Sequence, residues 1–178
     1  FALAAYNLAT WGKRGVWLAI VPCLAVWLLF LPNAPYLMTD ILHLRARDSV
    51  PLWYDLVLLW YDLVLLVAFA WTGMFLGMVS LFLMQSLVQR KAGRAAGWLF
   101  TLAVIGLSGF GVYLGRFVRW NSWDVLTSPR AVLLDVWTKL RYPLWEPRAL
   151  VFSAVFALCL LAMYVTLIAA MHLQLEGQ

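Results

Sequence analysis

Charged residues are scarce in this chain. Only 12% of the 178 residues are Asp, Glu, Lys or Arg, whereas 65% are hydrophobic and the mean hydropathy is +0.87. A soluble domain is close to half apolar, so this composition excludes the soluble globular class. The basic residues lie between the apolar runs and form no stripe on one face, which argues against nucleic-acid binding. The sequence therefore predicts an integral membrane protein.

Cysteine and histidine are also rare. Cys23 and Cys159 both lie inside long apolar runs, with no CxxC pair and no neighbouring His, so we predict no metal site and no cofactor. HExxH, P-loop, GxSxG and EF-hand motifs are missing, and whether the protein is an enzyme stays open. The chain begins at Phe1 without an initiator Met. We interpret residues 1–178 as a single membrane domain that has lost an N-terminal part.

Four apolar segments are long enough to cross a bilayer core of about 30 Å. They are residues 15–31, 63–84, 97–115 and 149–171. Most of the tryptophans lie at the ends of these segments, where indole prefers the membrane interface, and Trp27 and Trp71 are expected to pack inside instead. The expected fold is an all-α, polytopic helical membrane bundle with four full transmembrane helices. Residues 1–10 suggest the tail of a fifth.

The basic loop QRKAGR (89–94) indicates an orientation. It is short, contains no acidic residue and lies between two spans. A raw count of Lys and Arg favours the other side, but many of those residues lie in a long segment, where the positive-inside rule weakens. We therefore expect QRKAGR on the cytoplasmic side.

One amphipathic helix is predicted between the third and fourth spans. Ser128 followed by Pro129 is typical of a helix start, and PRAVLLDVWTKLR then places Asp135 and Lys139 opposite an apolar face. That face consists of Leu133, Val136, Trp137 and Leu140. We expect this helix to lie in the membrane interface.

The heptad WYDLVLL occurs twice without a change, at 53–59 and 60–66. A heptad is nearly two helical turns, so Asp62 lies about 20° around and about 10.5 Å along from Asp55 on the same face. The repeat lengthens a helix without turning its face, and we predict that residues 52–60 are an interfacial or protruding extension. A carboxylate within a span is a functional-site hypothesis. Asp62 faces either the bundle interior or water, and Asp55 is expected in water.

Two polar segments contain most of the other candidate site residues. LPNAPYLMTD (31–40) is expected to end the first span, because proline cannot continue a helical hydrogen-bond ladder. GRFVRWNSWD (115–124) places Arg116 and Arg119 three residues apart. These arginines either clamp an anion such as a lipid head group, or anchor the span and pair with carboxylates.

Alternating spans would bring both segments to one side of the membrane, at a polar extracytoplasmic mouth. The ligand-binding candidates there are Asn33, Tyr36, Asp55, Asp62, Arg116, Arg119, Asn121 and Asp124. Asp40 and His43 are candidates for acid–base catalysis, although a lone His in a polar loop is more often without such a role. The leading hypothesis is that this mouth binds a lipid head group or another small anionic ligand.

The sequence contains the segments LPNAPYLMTDILHL, VPLWYDL, FAWTG and GRFVRWNSWDV. Together these four segments resemble a bacterial integral-membrane family known as domain of unknown function number thirteen-sixty-one. The resemblance extends from the first span to at least Asp124. It implies a multi-pass protein of the bacterial inner membrane and no particular activity. The family's pattern has WYDL once, so the second copy departs from it and leaves Asp55 and Asp62 as alternatives for one family position.

Two other functional classes stay open. A transporter or permease subunit would need polar residues deep in the spans, and these are few: Asp62, Ser80, Thr101, Ser108 and Thr166. A membrane scaffold would bind partner helices through two GxxxG motifs and use the polar mouth only as a structural network. The motifs are formed by Gly73 with Gly77 and by Gly111 with Gly115.

Overall fold

The computed structural model describes residues 2–3, 6, 17–39, 52–120, 122–141 and 147–176. These residues are helical apart from short turns, and none of them lies in a β-strand. Four helical segments are long and apolar enough to cross a membrane: Val21–Thr39, Val57–Ala92, Arg94–Val118 and Pro147–Met171. The predicted all-α membrane bundle is confirmed.

Seven α-helices and one π-helix are described in residues 17–141 and 147–176. In chain order they are α1 (Trp17–Phe30), α2 (Asn33–Tyr36), α3 (Leu52–Ala92), α4 (Arg94–Tyr113), a π-helix (Leu114–Val118), α5 (Asp124–Thr127), α6 (Pro129–Arg141) and α7 (Pro147–Glu176). The bounds of α6 are those predicted from Ser128 and Pro129, because proline suits the first position of a helix.

The loop QRKAGR forms the turn between α3 and α4. Gly93 has a positive φ of 89°, which glycine adopts without a steric cost, and its N–H donates to the Gln89 carbonyl at 3.0 Å. Arg90 and Lys91 lie in the last turn of α3, where cations interact favourably with the helix dipole. This turn makes α3 and α4 an antiparallel hairpin.

The core lies where α4 packs between α3 and α7, and Trp27 of α1 contacts both α3 and α4. The central residues of the core include Met78, Leu81, Val104, Leu160 and Tyr164. The α4–α7 pair is antiparallel, because Trp98 meets the Tyr164 ring at one end and Gly109 meets Ser153 at the other.

The two tryptophans expected inside the bundle behave differently. Trp27 is buried, and its Nε1 donates to Ser80 Oγ at 3.0 Å while its ring stacks on Phe100. Trp71 is 64% exposed, so the prediction for it is wrong. Ala70 and Met74 are buried on α3, and Trp71 lies about 100° around the helix from Ala70, on the outer side.

The first span does not end at residue 31, as the proline-rich segment predicted. A turn over Leu31 and Pro32 breaks the helix, but α2 and a 3₁₀ turn then continue the span to Thr39. Pro32 is the N-cap of α2 and Pro35 lies in its first turn. The N–H groups at the start of a helix have no intrahelical acceptor, so proline costs little at these positions.

Helix α3 is the longest of the described helices. It has 41 residues, and from Val57 to Phe69 no described side chain is buried. The first buried residue among its described side chains is Ala70. The second copy of the repeated heptad, at 60–66, lies within this stretch without a buried side chain, and the extension predicted for residues 52–60 stays a prediction.

Deletion of residues 53–59 is expected to leave a folded bundle. It shortens α3 by about 10.5 Å, removes no buried contact of the described residues and keeps the face of the helix. Thermal unfolding in detergent should change by only a few degrees. A matched deletion of residues 74–80 keeps the face as well but removes buried Met74 and Met78, and it should prevent folding. Equal loss of folded protein in both variants would contradict this prediction.

Candidate functional site

A cavity of about 570 Å³ lies between α1, the second half of α4 and the chain from Trp120 to α6. This volume is typical of small-molecule sites. Half of the lining residues are aliphatic, and Phe30, Tyr36, Trp120 and Trp123 provide aromatic walls. Asn33, Ser122 and the Tyr36 hydroxyl are its polar side-chain groups, and no charged residue among those described lines it.

Two glycines of α4 and the π-helix bring the α1–α2 turn close to this cavity. A Cβ at Gly111 would lie 2.8 Å from Pro32 Cγ, and a Cβ at Gly115 would lie 3.2 Å from the Tyr36 ring. Both pairs of residues line the cavity. The GxxxG spacing here allows a proline and a tyrosine to pack directly on the backbone, and so it positions one wall of the cavity.

The other GxxxG motif packs on the same segment from the α3 side. A Cβ at Gly73 would lie 3.7 Å from Ala34 Cβ, and one at Gly77 would lie 3.6 Å from Leu31 Cδ1. Residues 31–36 thus lie between the small-residue faces of α3 and α4. These are contacts within one chain, and a partner helix bound through the same glycines stays a prediction.

The chain reverses direction at Arg119, just after the π-helix. Arg119 has φ 63° and ψ 27°, a left-handed conformation that costs a non-glycine residue about 1–2 kcal/mol. The Trp120 N–H then donates to the Leu114 carbonyl at 3.3 Å. This turn directs Trp120 into the cavity wall. π-helical turns and strained residues both occur often at functional sites.

The polar and aromatic side chains of the wall are held by specific contacts. Trp120 Nε1 donates to Asp135 Oδ2 of α6 at 3.0 Å. Ser122 Oγ lies 3.2 Å from the Leu29 carbonyl and 3.4 Å from Asn33 Oδ1, and its single hydroxyl proton can be donated to either. The cavity wall is therefore built from contacts within the protein, and ligand binding would need little ordering of these side chains.

The Trp123 ring is held in the same way. It packs edge-on against Phe30, with 5.6 Å between the ring centroids and 77° between the ring planes. Edge-to-face packing is a favoured arrangement of aromatic rings.

The chain matches a known protein family. The family described as Protein of unknown function (DUF1361) matches residues 2–163. The chain belongs to this family. Comparison with curated proteins and with solved structures gave no match. The resemblance noted from the sequence is thereby confirmed, and the matched region includes every residue that lines the cavity.

The structure brings some of the predicted site residues of this DUF1361 protein together. Asn33 and Tyr36 line the cavity, and Arg116, Arg119 and Asp124 lie in the same stretch of chain as Trp120 without lining it. Asp62 is half-buried on α3 and is not in the lining. Asp40, His43, Asn121 and the side chain of Asp55 lie outside the described residues. Acid–base catalysis by Asp40 and His43 stays a prediction.

The sequence interpretation missed the residues that hold the wall. The sequence predicts Trp120 and Trp123 only as interface anchors, and Asp135 only as a residue opposite the apolar face of an interfacial helix. The available signal is that both tryptophans belong to the polar segment at 115–124. Among the described residues, no group of three or more His, Cys, Asp or Glu side chains is placed to hold a metal ion.

A second polar cluster of the DUF1361 protein lies inside the bundle and outside the cavity lining. The Tyr164 hydroxyl of α7 donates to Gln85 Oε1 of α3, and both residues are buried. Thr101 of α4 is also buried beside them, and its hydroxyl donates to the Gly97 carbonyl at 3.1 Å. Gln85 Nε2 has no hydrogen-bond partner among the described residues. The cluster links three spanning helices.

Proposed function

We propose that this protein binds a membrane lipid, with an acyl chain in the cavity and an anionic head group beside Arg119. The observation that carries the proposal is the lining of the cavity. It is aliphatic and aromatic, it contains few polar groups, and it lies between helices that can span a membrane. An apolar cavity at this position suits an acyl chain better than a soluble anion, because desolvating a charge there would be costly.

Arg119 is the candidate for the head group. It is exposed and directly precedes Trp120, which lines the cavity. The guanidinium group offers planar, paired donors that match a phosphate group, and Arg116 lies one helical turn earlier. A strained backbone at Arg119 supports a functional role for this residue.

The proposal includes a location for the site. With QRKAGR in the cytoplasm, the cavity lies at the extracytoplasmic side of a bacterial inner membrane. The scaffold alternative has less support, because both GxxxG motifs already pack on the chain's own residues 31–36. The Thr101 hydroxyl already donates its hydrogen bond to a carbonyl of its own helix. The polar residues deep in the spans therefore give little support to a transport path.

Filling the cavity tests the acyl-chain part of the proposal. Ala25 lines the cavity from α1, so Ala25→Trp should displace a bound chain. Val21→Trp is the matched control, because Val21 lies one turn earlier on α1, is 61% exposed and is not in the lining. Mass spectrometry of lipids retained after gentle solubilisation should show an enriched species on the parent and on Val21→Trp that is lost from Ala25→Trp. The same bulk-like lipid profile on all three would overturn the proposal.

Two substitutions at Arg119 test the head-group part. Arg119→Gly removes the charge but relieves the left-handed strain by about 1 kcal/mol, so this variant should be at least as stable as the parent. It should retain about tenfold less of an anionic lipid, since a hydrogen bond to a charged group is worth about 1.5–3 kcal/mol. Arg119→Lys keeps the charge and should lose less. Equal lipid retention in all three would exclude Arg119 as the head-group contact.

A further inference from the structure

Helix α6 turns the face with Asp135 and Lys139 toward the protein. Val132 lines the cavity, and Asp135 accepts the hydrogen bond from Trp120. Lys139 pairs with Asp135 at 3.9 Å and lies 5.7 Å from the centre of the Tyr113 ring. The sequence predicted that Asp135 and Lys139 face away from the apolar side, and the structure adds that this polar face is the one that packs on the bundle.

The opposite face of α6 is apolar and points away from the bundle. Leu133, Leu134 and Trp137 are 66%, 64% and 62% exposed, respectively. Arg130 and Arg141 are exposed on the same face, one at each end. At about 100° per residue all five side chains fall within about 100° of the helix circumference. Asp135 is the helix's single acidic residue and lies on the inner side, so this outward face has basic charge only.

We infer that this outward face docks into the head-group layer of an anionic lipid leaflet. Leucine and tryptophan side chains favour the boundary between head groups and acyl chains, and arginines on the same face attract anionic head groups. The arginines are about 16 Å apart along the helix, with the apolar residues between them, so apolar insertion and charge attraction act together. A protein partner would need acidic residues placed opposite these two arginines. An anionic leaflet instead presents negative charge over its whole surface.

The docked face is a site separate from the cavity, although one helix carries both. Val132 and Asp135 on the inner side contribute to the cavity wall. Docking of Leu133, Leu134 and Trp137 would therefore also hold the cavity wall in place. This inference does not rest on the identity of a ligand in the cavity.

Depth-dependent fluorescence quenching in the chain of residues 1–178 tests the inference. An environment-sensitive fluorophore is attached at Leu134→Cys in a background that also has Cys23→Ala and Cys159→Ala. The protein is reconstituted into vesicles of phosphatidylcholine alone, or with phosphatidylglycerol added, at low ionic strength, and is quenched with brominated lipids. The control label is the native Cys159 in a Cys23→Ala chain, because Cys159 is exposed within the spanning part of α7.

The label on α6 should be quenched more strongly, and emit at shorter wavelength, in the vesicles that contain phosphatidylglycerol. The control label should not respond to head-group charge. Each arginine near an anionic surface contributes about fivefold to the ratio of docked to undocked helix, so Arg130→Gln with Arg141→Gln should lower it about 25-fold. Added salt should act in the same direction, because it screens surface charge.

Equal quenching of the α6 label in both lipid compositions would overturn the preference for an anionic leaflet. A label that stays in water in both would overturn membrane docking altogether. Energy transfer between labels that disappears on dilution with unlabelled protein would assign the face to a second copy of the chain instead. The comparison of lipid compositions uses the parent charges, so it decides the question even where the double arginine variant folds poorly.

Discussion

Gly109→Ala is expected to destabilise the bundle by about 3 kcal/mol, at the upper end of what overpacking a core costs. A Cβ at this position would lie 2.4 Å from the Ser153 carbonyl oxygen and 3.1 Å from the Ala157 backbone nitrogen. Both atoms belong to the backbone of α7, which cannot rotate away as a side chain can. The methyl group would therefore force α4 and α7 apart along the main interface of the bundle.

Two other glycines of α4 are matched controls for this substitution. A Cβ at Gly106 would meet nothing within 4 Å, so Gly106→Ala should be neutral or stabilise the helix by up to about 1 kcal/mol. A Cβ at Gly97 would lie 2.2 Å from Gln89 Cγ, but this flexible side chain can move aside, so Gly97→Ala should cost less than Gly109→Ala. Unfolding in mixed micelles measures all three. Similar stability of the Gly106 and Gly109 variants would contradict the close α4–α7 contact.

The parts of the fold that depend on local sequence were predictable. Apolar segments near 20 residues predict spans because the bilayer core fixes their length, and the α6 boundaries follow from Pro129 and its preceding Ser128. The turn at Gly93 follows from a short polar loop between two apolar runs. In each case the physical cause lies within a few residues of the feature.

Features that depend on tertiary packing were not predictable. The first span continues through Pro32 and Pro35 because glycines of two other helices allow this segment to pack between them. Nothing in residues 31–40 alone indicates those glycines. Trp71 faces outward because Ala70 and Met74 face inward, and the apolar residues of α3 on all sides give no clear inner face from sequence.

The candidate site was predictable in part. Alternating spans place the two polar segments on one side, and Asn33 and Tyr36 lie in one lining with Ser122 and Trp120. The apolar character of that lining was not predictable. The apolar lining depends on the left-handed turn at Arg119, which directs Trp120 inward and leaves the arginine exposed. A single sequence does not reveal such a turn.

Tyr164→Phe is expected to cost about 2 kcal/mol through a single lost hydroxyl group. The Tyr164 side chain is completely buried, and its hydroxyl donates to Gln85 Oε1. Phenylalanine keeps the ring and its packing on Trp98, but it leaves a buried amide oxygen without a donor. An unsatisfied buried polar group costs about 1–3 kcal/mol, and no water is available within a bilayer to replace the lost donor. Tyr61→Phe is the matched control, because Tyr61 is 65% exposed and should tolerate the change.

A double-mutant cycle with Gln85→Leu identifies the role of this cluster. Gln85→Leu removes the amide nitrogen that has no partner among the described residues. It also removes the amide oxygen that accepts the hydrogen bond from the Tyr164 hydroxyl. Replacing both partners by apolar groups can be nearly neutral, so the double variant should be less destabilised than the two single changes together. Near-parental stability with unchanged lipid retention would assign the cluster to helix packing and weaken the transporter alternative. Additive costs would show that the two side chains do not interact, which would contradict the hydrogen bond.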